Sequence, residues 1–304
     1  MECDSPGQSS LVIGGSGLVG SYLLDQLIGR GERPVTLMRG APTRADVAHL
    51  PYDLEHPQAV ELPPHETLYC TARATLLAPA LTHFMRPGLK RLVVLSSTSI
   101  FTKENSEMES ERDGWRSLVE AEREIIATCT KSGVGWTILR PTLIYSEGRD
   151  RNITPLARLI RRVGVMPLVG GARGLRQPVH AEDLARGMIE AAAHPGASNN
   201  VYSVPGGETL TYREMIGRIF DALGKPRRTL PVPATLWRIA FPLLAPLFPG
   251  ANVAMGLRMM QDMAFDPTPA ITDFGWTARG FRPSFAQSTN TTVLRPFRMT
   301  RSSR

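Results

Sequence analysis

Short apolar runs alternate with stretches of helical periodicity through the first half of the chain. LVIGG, PVTLMRG, ETLYCTA, RLVVLSS and GWTILRP, between residues 10 and 141, read as strands. Between them, apolar positions recur at helical spacing near 21–30, 74–85 and 112–131, and Ser132-Gly133 closes the last as a helix C-cap. Strands alternating with helices predict an α/β fold with a doubly wound parallel sheet. After Pro141 the pattern loosens. TPLARLIRRVG and AEDLARGMIEAAA read as helices around the turn VGGARG and the short segment LRQPV. NNVYSVPG follows as a strand and TYREMIGRIFDALG as a helix capped by Thr211. The expected division is 1–145 for a dinucleotide-binding domain and 146–304 for a smaller substrate-binding part. Segments at about 175–203 are expected to return to the sheet.

The first strand ends in Gly14, Gly17 and Gly20, and a helical pattern follows at once. Gly14 permits a sharp turn, Gly17 lets phosphates approach the backbone, and Gly20 lets helix and strand pack closely. The helix N-terminus then favours a pyrophosphate. This is the loop of a Rossmann-type fold, and a nicotinamide dinucleotide is the cofactor it implies. The second strand closes on Met38-Arg39-Gly40 with Arg44 nearby, where an acidic residue would hold the ribose hydroxyls. Arginine there points to NADP, with NAD the alternative. Asp53, in YDLEH, is placed for an adenine contact.

Composition narrows the class. With 304 residues and 42% hydrophobic residues the chain can build a large core. Cys3, Cys70 and Cys129 have neither metal nor disulfide spacing, which suits a reducing, cytoplasmic setting. The start, MECDSPGQSS, has no basic region and does not read as a secretory signal. The net charge of +7 and the tail RPFRMTRSSR read as a basic surface or as a basic cleft for an anion. No basic run is interleaved with aromatics, so nucleic acid is not an expected partner. The apolar stretch ATLWRIAFPLLAPLF, 234–248, is broken by Arg238, Pro242 and Pro246 and is too short to span a bilayer. It is expected to pack against the substrate end of the fold, with a membrane-surface or oligomer contact as the alternative.

GGSGLVG, RLVVLSSTSIF, WTILRPTLIY, RQPVHAEDLA and NVYSVPGGETLTYREMIGRIFDALG together resemble the short-chain dehydrogenase/reductase superfamily. The likeness is to its extended or atypical branch, that of the NAD-dependent epimerases and dehydratases. The resemblance implies Ser16, Leu18 and Ser96 as further cofactor contacts and Ser97 as the active-site hydroxyl. Thr98, Tyr145, Asn152 and Arg176 are implied at the substrate. A homodimer is common in such folds. His180 and Asp183 are expected to fix a loop and helix start, and Cys70 to be a core residue.

The family's catalytic tyrosine and lysine, spaced YxxxK on a helix, fall on Gly114 and Leu118. Neither can move a proton or hold a charge. Lys103, Glu120, Glu122 and Glu124 are the imaginable substitutes, though the glutamates read more simply as a solvated helix face. Three readings follow. One is an NAD(P)-dependent oxidoreductase or epimerase-like protein acting on a sugar nucleotide or similar polar substrate. Another is a catalytically silent dinucleotide sensor or assembly protein. The third is a peripheral membrane enzyme on a lipid-linked substrate.

Overall fold

The computed structural model describes residues 10–40, 44–58, 60–244 and 253–285. Cys3, the start of the chain through residue 9, residues 245–248 of the apolar stretch and the arginine-rich tail lie outside them.

The described residues hold a seven-stranded sheet. Its strands in chain order are β1 (Ser10–Ile13), β2 (Val35–Met38), β3 (Ala48–Pro51), β4 (Thr67–Cys70), β5 (Arg91–Leu95), β6 (Gly135–Pro141) and, later, β11 (Asn200–Val204). In space the order is β11-β6-β5-β4-β1-β2-β3, and every pairing is parallel. The direction of winding reverses between β1 and β4. A crevice opens beyond the carboxyl ends of the strands at that switch point.

Helices cover both faces, so the central strands are buried throughout and read as continuous apolar runs. On one face, α1 (Leu18–Gly29) and α5 (Ala181–Ala193) bring Leu23, Leu24, Leu27, Leu184 and Met188 onto Val12 and Val93. On the other, α2 (Ala74–Ala80) and α3 (Glu109–Ser132) bring Leu77, Ile125 and Cys129 onto Leu11, Leu68 and Val94. Cys70 and Cys129 are buried, and burial pushes each thiol up to about 12. The helix expected over 74–85 divides. The α-helix stops at Ala80 and a 3-10 turn continues to Phe84. Pro79 within it has no N–H for the helical ladder, which weakens that last turn. α3 ends on Gly133 in the left-handed conformation, φ 68°.

The remaining part sits at the carboxyl edge of the sheet. It contains β7 (Ile144–Tyr145), α4 (Ile153–Val163), β8 (Met166–Val169), β9 (Leu175–Arg176), β10 (Val179–His180), β12 (Leu210–Thr211), α6 (Tyr212–Ala222) and β13 (Thr229–Val232). α7 (Ala234–Leu244), α8 (Val253–Leu257) and α9 (Thr268–Phe274) complete it. Its own core joins Ile153, Ile160, Leu168, Met215, Ile216, Phe220 and Phe281, with Ala234 and Trp237 of α7 packed against it. Leu236 and Ile239 of α7 stay exposed, at 54% and 73%. α6 starts with a full capping box between Thr211 and Glu214. His180 caps α5 by accepting the Glu182 N–H at 3.2 Å. Asp183 is buried and accepts from the backbone and guanidinium of Arg279, tying the segment after α9 to α5.

Among the described residues no helix is long and apolar enough to cross a membrane.

Candidate functional site

The turn after β1 lies at the switch point. Gly14 has φ 84°, a conformation that side chains disfavour, and a Cβ there would stand 2.8 Å from the Thr71 hydroxyl. That hydroxyl, just past β4, donates to the Gly14 carbonyl at 2.9 Å and pins the turn. Gly17 is the N-cap of α1. No side chain caps the helix, and no acidic residue sits in its first turn. A Cβ on Gly20 would lie 2.8 Å from Gly15 Cα and closer still to the Gly14 carbonyl oxygen. The glycines thus leave a backbone concavity at an uncapped helix start, which fits a pyrophosphate.

To one side of the turn lies a cavity of about 310 Å³ lined by Ser16, Gly17, Met38, Arg39, Tyr52 and Asp53. The Asp53 carboxylate accepts the Glu55 backbone N–H at 3.0 Å and lies 3.3 Å from His56 Nδ1. These bonds hold its pKa below the usual carboxylate range. Arg39 is exposed, with Glu55 3.4 Å away. Arg44 does not join this cavity as the sequence suggested. Its guanidinium closes on Asp46 at 2.6 Å and on Asp25, because both carboxylates lie within reach on neighbouring segments.

To the other side runs a cleft of about 1080 Å³, bounded by Leu18, Ala72, Ser96, Ser97, Gly114 and Leu118. Gly114 and Leu118, one turn apart on α3, both face the cleft, where the resemblance implies a tyrosine and a lysine. Glu122, the next residue of the same stripe, is not solvated as expected, although Glu120 and Glu124 are. It is 4% exposed, pairs with Arg140, whose Nε donates at 3.1 Å, and accepts the Ser96 hydroxyl. Arg140 in turn lies over the Phe101 ring at 4.9 Å. With its oxygens thus occupied, Glu122 ties α3 to Arg140 of β6 and to Ser96.

Gly114 carries no packing duty: nothing lies within 4 Å of a Cβ built there. In mid-helix it costs entropy. Gly114→Ala is therefore expected to stabilise the fold by about 0.5–1 kcal/mol in a denaturant titration. A loss of stability would show that the glycine serves the backbone.

A second cavity, of about 480 Å³, opens from the cleft, and Ser97, Ile144, Arg151 and Asn152 line both. Ser97 Oγ accepts the Ser99 N–H at 3.1 Å, which leaves its own O–H to donate at the junction. Thr98 lines the second cavity but donates to the Pro141 carbonyl at 3.0 Å. The amide of Asn152 donates to the Ile144 carbonyl at 2.7 Å. Tyr145 is not part of the site. It is 1% exposed, packed edge-on to His180 and Phe281, and burial raises its pKa. The alternation of strand β7 turns it away from the cavity and leaves Ile144 to line it. Arg176 borders the cavity, yet it is 4% exposed and donates to the carbonyls of Leu175 and Gln261 at 2.7 Å and of Arg258 at 2.5 Å. Three of its five N–H groups are thus spent on backbone carbonyls, two of which hold the 258–261 segment in place.

The structure adds residues that sequence spacing did not reveal. Thr71 lies in ETLYCTA, which read only as a strand. Arg151 is exposed in both cavities, and no hydrogen bond or ion pair engages its guanidinium among the described residues. Arg258 arrives from the far C-terminal part and meets Glu111 at the start of α3.

The sequence model of the NAD dependent epimerase/dehydratase family matches residues 45–204. A UDP-glucose 4-epimerase of Vibrio cholerae is 26% identical over 303 residues, covering 88% of this chain and 90% of that protein. An NAD(P)H azoreductase of Xenophilus azovorans is 27% identical over 237 residues, covering 72% and 75%. Among solved structures, MoeE5 in complex with UDP-glucose and NAD superposes with a TM-score of 0.68 at 19% identity, over 90% of this chain and 94% of that one.

Proposed function

The chain belongs to the NAD dependent epimerase/dehydratase family, and on that premise we propose that it is an NADP-preferring oxidoreductase or epimerase-like protein acting on a small, polar, anionic substrate. The junction of the two cavities at Ser97, Arg151 and Asn152 carries this reading, since a protein that only bound a dinucleotide would need no second cavity beside it. The uncapped start of α1 and the turn at Gly14 and Gly17 would hold the pyrophosphate. Asp53 and Arg39 would hold the adenosine end, and Ser96 and Leu18 would flank the other. When bound, the cofactor supplies hydride transfer. This chain's own contribution is to orient and to donate: the Ser97 O–H reaches the junction, and Arg151 offers a charge to an anion. Sugar nucleotides, named with the epimerase relative and the MoeE5 complex, and singly charged sugar acids are the substrates to compare first.

Arg39 supports NADP over NAD because it is exposed and only loosely paired with Glu55, so a 2′-phosphate can recruit it. In fluorescence titrations, native protein is expected to bind NADPH more tightly than NADH. Arg39→Ala is expected to weaken NADPH about tenfold and to leave NADH unchanged, the scale of one charge-assisted hydrogen bond. Equal losses for both would assign Arg39 to the adenine ring instead.

Gly114 and Leu118 favour a second reading, a silent dinucleotide-binding sensor, because they stand in the cleft at the positions where the resemblance implies a proton relay. Turnover of NADPH by the unmodified protein with any polar carbonyl substrate excludes that reading.

A further inference from the structure

The second cavity is ringed by cations whose charges are not equally available. Lys103 and Arg258 line it, and both turn to one carboxylate, Glu111. Lys103 Nζ lies 3.7 Å from Glu111 Oε1, and Arg258 Nη2 closes on Oε2. The Glu111 side chain is 13% exposed, and the Ser106 hydroxyl donates to it at 2.7 Å. Burial opposes its ionisation, but the hydrogen bonds from Arg258 and Ser106 outweigh this and hold its pKa below the usual range. Arg176 fixes the arrangement from behind, since it grips the Arg258 carbonyl. Arg151 also lines the cavity and is exposed, with no hydrogen bond or ion pair on its guanidinium among the described residues.

We propose that Glu111 is a specificity-determining residue. It draws Lys103 and Arg258 out of play and leaves Arg151 as the anion anchor, so the cavity favours a substrate end with a single negative charge over a diphosphate. This rests on the proposed function and narrows its substrate class. A diphosphate in the cavity would need two or more of these cations, and Glu111 both competes for them and repels the ligand. Like charges set against each other at a desolvated site act on the scale of several-fold to many-fold in affinity.

The test is calorimetric titration of the full chain, loaded with NADP⁺, with UDP and with glucuronate. Glu111→Gln keeps a hydrogen-bonding side chain of the same length and removes the charge. It is expected to tighten UDP by about tenfold or more while changing glucuronate by about threefold or less. Arg151→Gln is expected to weaken both. Lys103→Gln, on an exposed loop, is expected to shift UDP affinity by no more than about twofold alone and to weaken it clearly in the Glu111→Gln background, the coupling that a sequestered charge requires. This cycle keeps the test decisive if Glu111→Gln alone loosens the packing behind Lys103 and Arg258. UDP binding unchanged or weakened by Glu111→Gln, a large loss from Lys103→Gln alone, or no UDP binding to either protein would overturn the proposal. Failure of the loading step would count against the proposed function separately, because Glu111 lies outside the dinucleotide cleft.

Discussion

Gly20→Val is expected to abolish useful dinucleotide binding, lowering affinity by about 100-fold, the scale on which a displacement of about 1 Å acts in a preorganised site. Any Cβ at this position lies 2.8 Å from Gly15 Cα and even closer to the Gly14 carbonyl oxygen. Both obstacles are backbone, so neither can rotate aside. Helix α1 must move away from the turn, and the turn is what aims the first N–H groups of the helix at a pyrophosphate. Overpacking of this kind also costs about 1–3 kcal/mol of stability. Titration with NADPH, beside a thermal melt, reads both effects. Gly29→Ala, at the other end of α1 with nothing within 4 Å of its Cβ, is the control expected to bind normally. Native affinity in Gly20→Val would mean that the cofactor does not use this turn.

Glu122→Ala is expected to be the most destabilising single change at the rim of the cleft, by about 3–5 kcal/mol. The substitution leaves the largely covered Arg140, its side chain 17% exposed, with no counter-charge, and it removes the acceptor of the Ser96 hydroxyl. The cost arises mainly from the orphaned charge and less from the lost attraction. The double variant Glu122→Leu with Arg140→Met removes both charges and is expected to recover much of the loss. Chemical denaturation of the three proteins measures the cycle. A near-neutral Glu122→Ala would show that water reaches Arg140 and that the pair is not a structural anchor. Because Ser96 precedes Ser97, the same variant is expected to disturb the junction between the cavities.

The parallel sheet was legible because its central strands are buried on both faces and its helices on one, which leaves distinct periodicities in the sequence; edge strand β3, with no buried residue, leaves no such run and was not read. The glycine turn was legible for a stronger reason. Gly14 needs a positive φ and Gly20 needs the absence of a Cβ, and only one residue type satisfies either demand. Gly114 and Leu118 were legible as the positions onto which the resemblance puts a tyrosine and a lysine, and the structure places both in the cleft. Glu122 was misread because helical periodicity shows which face a residue occupies but not that Arg140, on β6, waits beneath it. Tyr145 was misread because a two-residue strand carries too little pattern to fix which side chain points into the cavity.

The sequence by itself determined the alternation of the main strands and helices and the glycine turn after β1, since each is written in neighbouring residues whose local geometry is set by φ, by Cβ sterics or by periodicity. Tertiary structure alone decided the charge state of the second cavity. Lys103, Glu111, Arg151, Arg176 and Arg258 come from four separate stretches of the chain, and whether an arginine meets a substrate or a backbone carbonyl depends on what folds against it. Arg176 and Arg151 are the same residue type 25 positions apart. One is closed on three carbonyls and the other stands open to the cavity, because only the former is covered by the 258–261 segment.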